Sequence, residues 1–146
     1  MGVVLNRPSD APVDEAAPAL SPLAGPGELL HVGGPVQPEA VLVVAEAEDP
    51  AVASELIVGD AGFLRGDLEL DELVAGTRRA RVYAGYAGWS PGQLEAELET
   101  SDWIVADALP DDLFAPPGSD LWGDVLRRKG GQFRLIATMP PDPGLN

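Results

Sequence analysis

The lone histidine, His31, is the natural general base of this chain near neutral pH, and any serine-histidine-acid arrangement would have to use it. It lies in the apolar stretch Leu29-Leu30-His31-Val32 just ahead of paired glycines, where a packed or surface histidine is the commoner explanation. Ser90 is the hydroxyl best presented by a turn, yet it reads as a helix N-cap whose oxygen already faces backbone donors. Glu95 and Glu97 stand two apart on an apparent helix and do not share a face, which argues against paired acid/base work. Glu46, Glu48 and Asp49 match no calcium-loop spacing and read as a solvated charge run. Lys129 closes a helix beside Arg127 and Arg128, where the helix dipole accounts for it. With no cysteine, thiol catalysis, zinc-thiolate sites and disulfides are excluded. This inventory predicts no catalytic residue, no metal and no cofactor, hence a protein that is not an enzyme. The alternative is a hydrolase working at the Ser90 turn.

Binding chemistry has better material in three glycine and proline turns. These are Asn6-Arg7-Pro8, Gly33-Gly34-Pro35, and the joint in YAGYAGWSPGQLEAELE, Tyr83 to Glu99. The last has neither the Lys-Ser/Thr of a phosphate loop nor the G-x-G-x-x-G order of a dinucleotide fingerprint. It does feed a strand end into a helix N-terminus, where backbone N–H groups favour an anionic ligand. The plainer reading is a tight turn made by Gly85 and Gly88 with Trp89 plugging the core. Trp103 and Trp122 fall on the apolar side of their own elements and read as packing residues. Arg7, at a strand end, could hold a carboxylate or a carbonyl.

The elements that position these turns are mostly short. Val3 to Leu5 opens as a strand, and close-spaced prolines up to Pro26 leave room for one or two helical turns around Val13 to Ala17. Leu29 to Val32 and Val41 to Ala45 read as strands, the second fully buried because it lacks polar alternation. The acidic stretch Glu46 to Glu55 reads as a solvated loop before a short strand at Leu56 to Val58. Leu68 to Ala75 carries a helical period stopped near Gly76, and Arg81 to Tyr86 is the next strand. Ser90, Pro91 and Gln93 then predict a capping box, with Leu94 and Leu98 on the buried face of the helix they start. A strand at Asp102 to Ala106, a helix from Ser119 or Asp120 to Gly130 and a final strand at Phe133 to Ala137 complete the series, and residues 138–146 read as a frayed tail. Alternating strands and helices predict a single α/β domain over residues 1–146, with a mixed, mainly buried sheet flanked by helices; α+β is the alternative.

Nine Lys and Arg against 24 Asp and Glu give a formal charge of −15, which repels phosphate backbones and anionic lipid, so no direct nucleic-acid binding is expected. No run approaches the roughly 20 apolar residues of a membrane helix, and no secretory signal is visible, so the cytoplasm is the expected compartment.

GVVLNRPSD at the start, VGGPV at Val32 to Val36, YAGYAGWSPGQLEAEL, DWIVADA and DLFAPPGSDLWGDVLRRKGG together resemble the YqgE/AlgH family of bacterial proteins. The resemblance implies a cytosolic α/β domain of poorly defined function. One branch name of the family implies transcriptional regulation, which the charge and the lack of a helix-turn-helix place with a protein or small-molecule partner rather than with DNA. Carried over by matching motif are Asn6, Arg7, Pro8, Gly33, Gly34, Pro35, Gly85, Gly88, Trp89, Gly92, Gln93, Leu94, Glu95 and Trp103. Of these, Asn6, Arg7, Gly33, Gly34, Trp89, Gln93 and Glu95 are the expected binding residues, on turns converging at one end of the sheet. Two departures from the family pattern stand out: the several dozen residues that precede GVVLNRP in its members, with a strand and a glutamate-histidine pair, and the Leu-His that often ends the strand at AVLVVAE. A missing neighbour strand would leave an open sheet edge, so lower solubility or self-association through that edge is expected.

Overall fold

The computed structural model describes residues 1–139. Its spine is an antiparallel pair of long strands, β3 (Val36–Ala47) and β6 (Thr77–Tyr86). On one side of β6 lie β2 (Leu29–Val32), which runs parallel to it, and then β1 (Pro8–Pro12), antiparallel to β2. On the far side of β3 lie β5 (Ala61–Leu64) and β4 (Ala53–Val58), both in antiparallel pairs. The result is one mixed six-stranded sheet in the order β1-β2-β6-β3-β5-β4. With its helices it is the expected α/β fold.

Strand alternation divides the sheet into two buried faces. Val43, Ala45 and Ala47 of β3 and Ala80 and Val82 of β6 face the short helices α1 (Val13–Ala16), α2 (Ser21–Ala24) and α3 (Leu70–Ala75), meeting Val13, Leu23, Ala24 and Leu73. The three alanines keep this face shallow enough for helices of one or two turns to reach it. Leu42, Val44 and Tyr83 face the opposite way, against Leu113, Phe114, Val3 and Leu5. Val44 and Val82 are both fully buried, each contributing about 1.5–3 kcal/mol by area.

Several expectations need correction. Phe133 to Ala137 is not a strand: α6 (Gln132–Ile136) occupies it, because Gly130 and Gly131 at φ +77° and +56° turn the chain back against α5 (Leu121–Lys129). Asp102 to Ala106 follows a left-handed Ser101 at φ +63° and joins no strand. The acidic loop at Glu46 to Glu55 is largely structured, with Glu46 and Ala47 in β3, a 3₁₀ turn at Pro50–Val52 and β4 starting at Ala53. Trp103 and Trp122 are 48% and 53% exposed rather than packed away. Val3 to Leu5 forms no regular strand; the segment is held by a Gly2–Ala87 bridge and by the Val4 N–H donating to the Gly33 carbonyl at 2.8 Å. The tail expected to fray lies mostly outside the described residues.

The feature that places the turns is a corner where backbone meets backbone. A Cβ on Gly33 would stand 2.3 Å from the Gly85 carbonyl oxygen, and one on Gly34 would stand 2.1 Å from the Tyr86 carbonyl carbon. Gly85 itself has φ +68°, and its Cβ would meet the Gly34 oxygen at 2.5 Å. No side chain fits at any of the three, so β2 and β6 close on each other only as glycine. Gly85→Ala combines a left-handed φ with this clash and is expected to cost about 2–4 kcal/mol, read as a lower urea midpoint. A midpoint equal to wild type would show that the corner relaxes freely.

Candidate functional site

The parallel pairing of β2 with β6 puts their C-terminal ends together, and β1, running the other way, starts at that same end. The three turns therefore do meet. Gly33 donates to the Ala84 carbonyl, Val32 donates to the Arg7 carbonyl, and Gly2 and Ala87 exchange a pair of N–H···O bonds of 2.8–2.9 Å. Among the expected residues, Gly33 and Gly34 are buried in the corner as backbone spacers. Asn6 and Arg7 are exposed on the turn into β1, and Glu95 is exposed in the first turn of α4 (Gln93–Glu99).

Trp89 and Gln93 belong to a more definite construction. The capping box at Ser90 is only half formed: Gln93 Oε1 accepts from the Ser90 N–H at 3.1 Å, while Gly92, at φ +79°, takes the N-cap position without a side-chain cap bond. The Ser90–Gln93 turn delays the helix until Gln93 and moves Ser90 off the cap. Gln93 Nε2 reaches one turn on and donates to Glu97 Oε1 at 3.0 Å. Both indole N–H groups converge on the other oxygen: Trp103 Nε1 donates at 2.7 Å and Trp89 Nε1 at 3.1 Å to Glu97 Oε2. The rings meet edge to face, centroids 5.9 Å apart and planes at 66°. Trp89 also covers Gly2, where a Cβ would touch its ring at 3.4 Å.

Glu97 is thus the organising residue of the cluster, although its place between Glu95 and Glu99 marks it as a solvated carboxylate. Donation from Trp103, with smaller parts from Gln93 and Trp89, holds its carboxyl below the usual range. Beyond it the chain leaves apolar surface uncovered: Leu98, Trp103, Ile104, Val105 and Leu109 are 41–63% exposed. Lys129 Nζ and Arg128 Nη2 hold this segment through the carbonyls of Val105 and Asp107.

The one histidine is elsewhere. His31 is 1% exposed in β2, its Nδ1–H donating to the Leu29 carbonyl at 2.9 Å and its ring 5.6 Å from Tyr83. Burial lowers its pKa, and the Arg81 guanidinium lowers it further. A cavity of about 160 Å³ lies beside it, bounded by Asn6, Pro8 and the Ala115–Ser119 loop. Ser90, on the Trp89 turn, has no histidine near it to act as base. Among the described residues no cluster of three metal-ligating side chains occurs and no helix is long and apolar enough to cross a membrane.

The sequence pattern of the AlgH-like family matches residues 1–134. The chain belongs to the AlgH-like family. It is 44% identical over 154 residues to a UPF0301 protein of Mycobacterium avium (strain 104) and 41% identical over 156 residues to one of Mycobacterium tuberculosis (strain ATCC 25177 / H37Ra), covering all of this chain and 75% of each relative. Among solved structures, protein DIP2367 of Corynebacterium diphtheriae is similar at TM-score 0.82 and 33% identity, covering 94% of this chain and 74% of that one. The AlgH protein of Pseudomonas aeruginosa is similar at TM-score 0.67 and 30% identity, covering 97% and 78%. The AlgH-like motif residues Trp89, Gln93 and Trp103 are the ones gathered on Glu97, and that fourth member is the residue sequence reasoning missed. Its one signal was a position one turn after Gln93.

Protonating Glu97 removes the charge that strengthens both indole hydrogen bonds. Tryptophan fluorescence is therefore expected to change in a titration centred below the ordinary glutamate value near 4.3, and Glu97→Gln is expected to abolish that step. A step at or above the ordinary value would contradict the geometry. For His31 the sign is opposite to that of a salt-bridged base. With its folded pKa below the unfolded value near 6.5, its contribution to stability is complete above 6.5 and is lost as pH falls from there through the folded pKa. His31→Phe is expected to flatten the decline of Tm between pH 7 and 5.

Proposed function

We propose that this AlgH-like chain is a non-enzymatic binding protein of the cytoplasm that exerts regulation through a protein partner held at the Trp89–Glu97–Trp103 end of the sheet. The single observation that carries the reading is the exposed, carboxylate-fixed tryptophan. Trp103 keeps half its surface in solvent while its N–H is anchored, and Leu98, Ile104, Val105 and Leu109 extend the apolar patch around it. Large apolar surface held in one orientation carries little ordering cost on association, the property shared by interface anchors.

Charge selects the partner. Glu95, Glu99, Asp102 and Asp107, exposed close in sequence to the patch residues, belong to a chain of net charge −15, so a segment with apolar and basic side chains is complementary and nucleic acid is not. Exposure makes Trp103 a cleaner probe than Trp89, which packs on Gly2. Trp103→Ala is expected to weaken capture of the native partner at least tenfold with Tm nearly unchanged, whereas a structural tryptophan would lower Tm and leave capture intact. A Ser90→Ala variant that lost turnover of an identified substrate would favour a hydrolase instead.

A further inference from the structure

Three arginines, Arg78, Arg79 and Arg81, fall within four residues of β6, and they are not alike. Arg78 and Arg79 share Glu46, at 2.7 and 2.6 Å, and Arg79 also reaches Asp111 at 2.6 Å with its guanidinium 4.3 Å over the Phe114 ring. Arg81 is 4% exposed, and among the described residues no carboxylate lies within ion-pair distance of it. Its Nη1 donates to the Leu113 and Ala115 carbonyls at 3.3 and 2.9 Å, while its Nε has no partner. Carbonyl dipoles solvate a cation in part and neutralise none of it, so this is a buried charge without a counter-ion.

The surroundings supply room for one. β2 pairs with β6 only at Tyr83 and Ala84, leaving the N-terminal half of β6 uncovered on that side. There a cavity of about 410 Å³ is lined by Glu28, Val74, Thr77, Arg79, Arg81 and Phe114 among others. Thr77, another residue of the lining, carries a second buried polar group with no partner among the described residues. Thr77 and Arg81 lie four residues apart on one face of β6, and both residues line one space of metabolite size.

We infer that this cavity is a binding site for the oxyanion group of a small molecule, a carboxylate or a phosphate, with Arg81 as its counter-charge. Glu28 on the rim disfavours a multiply charged head and suits a singly charged group whose other end carries a hydrogen-bond donor. Arg79, already neutralised by two carboxylates, bounds the site without drawing the anion. The site is separate from the tryptophan cluster and does not depend on it.

The test is a side-chain ¹H–¹⁵N titration of the full chain at pH 7 with sodium acetate and, separately, with sodium phosphate, against sodium chloride at matched ionic strength. Saturable movement of the Arg81 Nε–H resonance, with Arg79 and Arg65 unmoved, is the expected result. Acetate alone would mark a carboxylate ligand, phosphate alone a phosphorylated one, and both a general oxyanion site. No saturable Arg81 shift in either arm, or equal shifts at all three arginines, overturns the inference.

Discussion

The constraint that shapes this end of the molecule is the contact of Gly33 and Gly34 with Gly85, Tyr86 and Ala87, at separations that exclude a Cβ. Everything at the functional end follows from it. It decides where β2 leaves β6, brings the first residues of the chain in beside Ala87, and aims the strand exit so that Trp89 covers Gly2 and faces α4. Shape complementarity here belongs to the main chain, which explains why a glycine-rich motif with no phosphate-loop chemistry is nonetheless specific.

From that corner two polar constructions diverge. One is open to solvent, a carboxylate that gathers two indoles and an amide. The other is closed, with Arg81, Tyr83 and His31 stacked across β6 and β2 beneath the Leu113–Ser119 segment. Burial pushes the Tyr83 phenol up to about 12, the nearby guanidinium only partly opposing it, and its hydroxyl has no partner among the described residues. Burial keeps His31 neutral by the same physics. The two clusters differ in solvent exposure, and the proposals drawn from them differ accordingly: a macromolecular surface for the outer, a small ligand for the inner.

Much of the scaffold was legible. Leu29 to Val32 is a strand to the residue, and the helix ended by Gly130 begins one residue after Asp120, whose carboxylate caps it through the Gly123 N–H. Less visible was anything fixed by long-range register. The β5 strand at Ala61–Leu64 has only one local signal, Gly59-Asp60 between apolar residues, a two-residue hairpin turn. Phe133 to Ala137 is short and apolar, a pattern that strand and helix share until the preceding glycines set the direction. At the site, the meeting of three turns could be read from their motifs, whereas Glu97 and Arg81 could not. Each looks like an ordinary surface charge until its neighbours across space are known, and only the placement of Arg81 between Ala80 and Val82 in a buried strand hinted otherwise.

The hold of Arg81 on the covering segment has one more consequence. The guanidinium grips the carbonyl oxygens of Leu113 and Ala115, groups that every amino acid supplies. The path of that segment is therefore written in β6 rather than in its own letters. Side chains along the loop are thus free to change what its outer surface displays without altering the backbone that Arg81 holds.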